Sequence, residues 1–134
     1  MPGYSGTPLA KKLGMKPGSR VVLVHAPGDY KAWLAPIPEG VSFGRTITGA
    51  TDIVHVFARE KAELARLLAA YRKTLKPTGA VWVSWPKKSA KLRTDIVEDT
   101  IREIALPMGF VDVKVCAVTE VWSGLKLVVR KALR

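Results

Sequence analysis

Apolar positions along the chain fall into two textures, short unbroken runs and stripes spaced three and four residues apart, and the two alternate. The run Arg20-Val21-Val22-Leu23-Val24-His25-Ala26 predicts a strand buried on both faces and stopped by Pro27-Gly28. Asp52-Ile53-Val54-His55-Val56-Phe57 predicts a central strand, and Ala80-Val81-Trp82-Val83-Ser84-Trp85 the next one. Val41 to Ile47 alternates only weakly and predicts an edge strand. Between these runs, Glu60 to Lys76 sets Leu64, Leu67, Leu68, Tyr71 and Leu75 on one stripe, the spacing of an amphipathic helix lying on a sheet, and Pro77-Thr78-Gly79 ends it.

Shorter helices carry end signals. Thr7 is a candidate cap, with Pro8 at the first helical position, for a helix over Leu9 to Leu13 that stops at Gly14. Asp29 caps a brief helix through Leu34 that must finish before Pro36. Asp95 with Glu98 reads as a capping box opening a helix with Val97, Ile101, Ile104 and Met108 on one face, closed by Pro107-Gly109. Phe110 to Val118 and Leu125 to Lys131 predict two strands whose connection, turned by Trp122-Ser123-Gly124, is too short for a parallel crossover, so they pair antiparallel. The alternation of strands and helices predicts one α/β domain over residues 1–134: three layers, Rossmann-like, with a mainly parallel sheet and an antiparallel strand at its C-terminal end. Residues 1–19 are expected to be an N-terminal arm and short helix.

Particular strings carry a resemblance. Leu75-Lys76-Pro77-Thr78-Gly79-Ala80-Val81-Trp82-Val83, then Met108-Gly109-Phe110, then the end from Trp122 to Lys131, are similar to the second half of a class I S-adenosylmethionine-dependent methyltransferase fold. More closely, the whole chain resembles a bacterial family described as a domain of unknown function. That resemblance rests on Gly3-Tyr4-Ser5-Gly6-Thr7-Pro8-Leu9 with Lys12-Leu13-Gly14, on Ala26-Pro27-Gly28-Asp29-Tyr30, on Trp82 to Lys88, on Thr94-Asp95 with Glu98-Asp99 and Ile101-Arg102-Glu103, and on Trp122 to Lys126. It implies a methyltransferase-like fold and no particular activity.

Composition sharpens the functional side. The 134 residues hold 22 Lys+Arg against 11 Asp+Glu, a formal charge of +11, which favours an anionic partner through its summed potential. There is no Asn or Gln, so the side-chain amides that pair with adenine in the major groove are missing and sequence-specific DNA reading is disfavoured. A single Cys excludes an internal disulfide framework. No apolar run approaches the roughly 20 residues of a membrane helix. The start, Met1-Pro2-Gly3-Tyr4-Ser5-Gly6, has neither a basic leader nor an apolar stretch, and the expectation is a cytoplasmic location.

Most familiar chemistries fail on residue type or spacing. Two His and one Cys without close pairs give no metal motif, and Cys116 inside a strand reads as a packed thiol. Ser84 lacks the flanking glycines of a nucleophile elbow, and His55 in mid-strand reads as a core residue. The turn His25-Ala26-Pro27-Gly28-Asp29 has one glycine where a cofactor loop has several, and no acid follows at Arg45 to Ile47 to hold ribose hydroxyls. No catalytic residue, metal or cofactor is therefore expected.

What remains is an acid-free stretch between Glu63 and Asp95 containing Arg66, Arg72, Lys73, Lys76, Lys87, Lys88, Lys91 and Arg93. Arg72, Lys73 and Lys76 serve the negative end of a helix dipole. Lys87, Lys88, Lys91 and Arg93 follow the carboxyl end of a strand, the edge where open α/β sheets gather ligands, and are expected to cradle phosphate or carboxylate. His25, Tyr30 and Trp85 are expected on the same edge. For Trp85, stacking on a planar group and packing in the core are equally supported; Tyr4-Ser5-Gly6-Thr7 offers either further donors to that edge or a capped arm. The expected function is a non-catalytic binding domain for an anionic ligand: a nucleotide, a phosphorylated metabolite or a nucleic-acid backbone. A divergent methyltransferase and a structural partner subunit are the alternatives, and the oligomeric state stays open.

Overall fold

The apolar runs pair into one six-stranded sheet in a computed structural model that describes residues 6–134. The strands are β1 (Arg20–Val24), β2 (Ser42–Gly44), β3 (Ile53–Phe57), β4 (Ala80–Pro86), β5 (Phe110–Ala117) and β6 (Trp122–Val129), in the spatial order β2-β1-β3-β4-β6-β5. β2, β1, β3 and β4 are parallel neighbours, while β6 runs antiparallel to both β4 and β5 and lies between them. The mainly parallel sheet and its antiparallel C-terminal pairing are as the sequence predicts.

Helices cover both faces. α3 (Lys61–Thr74) and α4 (Glu98–Ala105) set Leu64, Leu68, Tyr71, Ile101 and Ala105 against Val54, Val56, Val81, Val83, Leu125 and Leu127. On the opposite face, α1 (Leu9–Lys12) and α2 (Tyr30–Leu34) bring Leu9, Leu13, Tyr30 and Leu34 onto Val21, Ile53, Phe57 and Trp82. All five residues of β3 are buried, because strands flank it on both sides and helices lie above and below.

The strand ends are in register: Val24 pairs with Val56, which pairs with Val83. The carboxyl ends of β1, β3 and β4 therefore emerge along one edge. Among the described residues, four acidic side chains are held in ion pairs by Arg or Lys. Arg102 gathers Glu98, Asp99 and Asp112, tying α4 to β5, and its guanidinium holds the Asp112 carboxyl below the usual range. Lys76 holds Asp52 at 2.7 Å at the amino edge and lowers that carboxyl likewise.

Several local readings are corrected by tertiary contacts. Asp95 does not open α4: its Oδ1 accepts the Lys61 backbone N–H at 2.7 Å and so caps α3, 34 residues earlier in sequence. The start of α4 is closed instead by Thr100 Oγ1, which accepts from the Val97 N–H at 3.1 Å, and Val97, outside the helix, is exposed. Pro8 precedes α1 rather than beginning it. Trp122-Ser123-Gly124 belongs to β6, and the hairpin turn lies before it, where Val118 and Thr119 N–H groups both donate to the Trp122 carbonyl. Gly124 is closely packed, since a Cβ there would sit 3.0 Å from Val118 Cγ2 and 3.2 Å from the Trp82 ring.

Candidate functional site

The β1 run ends where His25 turns into the left-handed region at φ 57, a conformation that costs energy for a non-glycine residue. Among the described residues only one other non-glycine residue does this, Lys91 at φ 55, in the basic loop after β4. Both lie on the carboxyl edge. The chain then passes Pro27-Gly28 and enters α2, while β2 ends beside β1 at Gly44-Arg45.

These segments enclose a cleft of about 620 Å³ lined by His25, Tyr30, Lys31, Phe43 and Arg45 together with the Ala26-Pro27-Gly28 turn. Its described lining contains three basic side chains and no carboxylate. Lys31 Nζ stands 5.1 Å from the Phe43 ring centroid, a cation–π contact that fixes the ammonium beside an aromatic wall. The nearest acid to His25 is Glu63, with Oε1 3.9 Å from Nε2. Lys31 and Arg45 were not legible as site residues, because β2 must be known to lie beside β1 before Arg45 can be set opposite α2.

Tyr30 forms the inner wall of this cleft, and it is 1% exposed rather than displayed at the edge. Its hydroxyl lies 2.7 Å from His55 Nδ1, and His55 Nε2 lies 2.8 Å from Ser84 Oγ. His55 also stacks on Phe57 with centroids 4.5 Å apart. Burial lowers the imidazole pKa to about 3 and pushes the Tyr30 phenol well above its ordinary value, so both are neutral. Both ring nitrogens are partnered whichever carries the proton. The chain Tyr30–His55–Ser84 thus pins α2 to β3 and β4 as an uncharged strut. Buried as it is, Ser84 has no path to a substrate, which agrees with the absence of a nucleophile elbow around it.

The other sequence candidates occupy neighbouring parts of the same edge. Lys87 and Lys88 line a second cavity with Trp85 and Glu98, and Arg93 lines a third, polar one with Arg59, Glu60, Thr94 and Asp95. Arg59 Nε donates to the Arg93 carbonyl at 2.8 Å, and the Thr94 hydroxyl donates to the Arg59 carbonyl at 2.7 Å, so the end of the basic loop is held against β3. Lys91 is exposed between the two. β1 and β4 exit two strand spacings apart, roughly 10 Å. His25 and Tyr30 therefore share one cleft, and the four loop cations flank it rather than line it. Trp85 is 7% exposed and packs in the α3–α4 core, although it also lines that second cavity. Trp82 is fully buried, as expected. Tyr4 and Ser5 lie outside the described residues. Cys116 is half-buried, and burial raises its thiol pKa, the reverse of an activated nucleophile. Among the described residues no group of three or more His, Cys, Asp or Glu could hold a metal ion, and no helix is long and apolar enough to cross a membrane.

The family described as protein of unknown function (DUF3052) matches residues 43–131. No curated protein matches the chain in sequence. Among solved structures, a Methanococcus jannaschii fibrillarin pre-rRNA processing protein superposes with a TM-score of 0.63 at 12% identity, over 90% of this chain and 73% of that one. A SAM-dependent methyltransferase from Aquifex aeolicus gives 0.62 at 14% identity, over 90% and 87%. A possible exported protein from Bordetella parapertussis gives 0.61 at 12% identity, over 90% of this chain and 65% of that one, so the chain spans less than two thirds of its length. At these identities the likeness is one of fold: a methyltransferase-type Rossmann-like sheet.

Proposed function

The chain belongs to the family described as protein of unknown function (DUF3052), and we propose that this member is a binding domain for a small anionic ligand, a nucleotide or phosphorylated metabolite. The observation that carries the reading is the cleft at the carboxyl ends of β1 and β2, in which His25, Lys31 and Arg45 converge with no carboxylate in the described lining. Open α/β sheets bind ligands in this place. Lys31 and Arg45 engage the phosphate, Arg45 with the fork geometry that suits it, and Phe43 and Tyr30 face the apolar part of the ligand. Lys87, Lys88, Lys91 and Arg93 extend the positive potential along the edge and raise the local ligand concentration. The lone thiol fits a reducing, cytoplasmic setting.

A second reading, a divergent methyltransferase, is favoured by the sheet order and by fold neighbours such as an Aeropyrum pernix fibrillarin with bound S-adenosylmethionine. The residues present do not fit that cofactor. β2 ends in Gly44-Arg45 where a ribose-holding acid is needed, Pro27 removes a backbone donor from the turn, and the cleft lining offers basic side chains and no carboxylate to a cofactor that is cationic at sulfur.

Titration calorimetry of the full chain with ADP, pyrophosphate and S-adenosylmethionine separates the readings. ADP and pyrophosphate are expected to bind and to weaken as salt rises, and Lys31→Glu with Arg45→Glu is expected to lower affinity by at least about tenfold, the scale of one lost charge-assisted contact. Lys87→Glu with Lys88→Glu is expected to cost less. Anion binding indifferent to Lys31 and Arg45 overturns the reading, and saturable S-adenosylmethionine binding without ADP binding replaces it with the second.

A further inference from the structure

On the far side of the Pro27-Gly28-Asp29 turn lies a groove of opposite character. It measures about 500 Å³ and is walled by Trp33 of α2 and Trp122 at the start of β6, with Asp29 and Glu120 at its rim. We propose that this groove is a site for an organic cation, a small molecule carrying a quaternary or alkyl ammonium group.

Four observations converge on that chemistry. Both tryptophans are half-buried, unlike Trp82 and Trp85, and both line the groove. They are also fixed in place. Phe57 lies between them, 5.0 Å from Trp122 and 6.2 Å from Trp33 by ring centroids, and Tyr30 holds Trp33 at 5.8 Å. Tryptophan faces attract desolvated ammonium groups more strongly than other aromatic rings do, and pre-set rings lose little entropy on binding. Third, the rim is acidic in a chain with only 11 acids against 22 basic residues. Asp29 takes part in no salt bridge among the described residues and makes no side-chain hydrogen bond at the start of α2; Glu120 likewise has no salt-bridge partner there. Last, the described lining contains no Lys, Arg or His. In a molecule carrying a formal charge of +11, two carboxylates without a salt-bridge partner among the described residues, beside half-buried indoles, make this groove locally attractive to a cation that the rest of the surface repels. The groove shares Pro27 with the anion cleft but none of its charged residues, and the proposal does not rest on the anion reading.

The probe is choline, followed through tryptophan fluorescence and indole N–H resonances of the full chain, with 3,3-dimethyl-1-butanol as its uncharged isostere. A saturable response to choline confined to the Trp33 and Trp122 signals is expected, with the isostere at least about tenfold weaker, in keeping with the strength of desolvated cation–π contacts. Asp29→Asn with Glu120→Gln, two exposed and nearly isosteric changes, is expected to weaken choline by a similar factor without moving the unfolding midpoint. Lys31→Glu with Arg45→Glu is expected to leave choline binding in place, which separates this site from the anion cleft. Equal binding of the isostere, an unchanged choline affinity in the carboxylate variant, or a response that NaCl reproduces at equal ionic strength would each overturn the proposal.

Discussion

Trp82→Ala is expected to lower the unfolding free energy by about 4 kcal/mol, the middle of the range for truncating a buried aromatic. Trp82 is the largest fully buried side chain, and it lies on the α1–α2 face of β4 among Leu9, Leu13, Met15, Val21, Ile53 and Val118. Its Nε1–H donates to the Leu13 carbonyl at 2.9 Å, across 69 residues of sequence, and so joins the C-terminal turn of α1 to the centre of the sheet. Alanine removes the ring, leaves a cavity beneath Gly124 and strands the Leu13 carbonyl without its partner. Trp82→Phe fills most of the cavity but still loses the hydrogen bond, and a cost of about 1 to 3 kcal/mol isolates that part. Guanidinium unfolding of the three proteins measures both. A Trp82→Ala cost below about 1 kcal/mol would mean that the α1 layer is not held through this ring.

The chain discloses most of its elements because β1, β3, β4 and α3 are written in local apolar spacing, whereas the short β2 and the start of β6 are not. Val54, Val56, Val81 and Val83 fall in core positions, and Leu64, Leu68 and Tyr71 form the buried stripe of α3. Features that depend on which elements become neighbours are not written locally. Asp95 has the spacing to cap the helix that follows it, but the fold sets it against Lys61, where α3 begins with a free N–H. Trp122-Ser123-Gly124 resembles a turn, but Gly124 lies in a strand where Val118 and Trp82 leave little room for a Cβ. The candidate site divides in the same way. A basic loop after β4 is visible in the run of Lys87, Lys88, Lys91 and Arg93, whereas the convergence of Lys31, Arg45 and His25 follows only from β2 pairing with β1. The acidic rim formed by Asp29 and Glu120 likewise joins residues 91 positions apart.

The two grooves share the wall made by the β1–α2 turn and differ in sign. Net charge therefore says little about either site. The excess of basic residues favours anions over most of the surface, while local pairing decides what each groove takes: Arg102 and Lys76 pair with Glu98, Asp99, Asp112 and Asp52, whereas Asp29 and Glu120 take part in no salt bridge among the described residues. Tyr30 stands at the centre of this arrangement, with one face toward the anion cleft and ring contacts to Trp33 on the other groove.

The strut behind Tyr30 makes stability depend on pH in a defined window. His55 is held neutral by burial, with its pKa lowered to about 3, whereas in the unfolded chain it titrates near 6.5. Between those values the unfolded state binds the extra proton, so stability is full above the unfolded pKa and falls as pH drops below it, by about 1.4 kcal/mol per unit. From pH 7 to pH 5 the expected loss is about 2 kcal/mol. Asp52 and Asp112, whose carboxyls are lowered by Lys76 and Arg102, contribute stability that is lost only at lower pH, as the medium nears the range of an unfolded carboxyl, so they leave the pH 5–7 interval to His55. Urea unfolding at the two pH values measures the loss. In a triple variant, Tyr30→Phe, His55→Leu and Ser84→Ala, every polar member of the strut is removed together, no orphaned hydroxyl is left, and the slope between pH 5 and pH 7 is expected to vanish. His55→Leu alone is expected to lose the slope as well but to be less stable at pH 7 than the triple variant, because it leaves the Tyr30 and Ser84 hydroxyls buried without a partner. A slope that persists in both variants would locate the acid sensitivity outside the strut, and equal stability of the two would show that water reaches those hydroxyls.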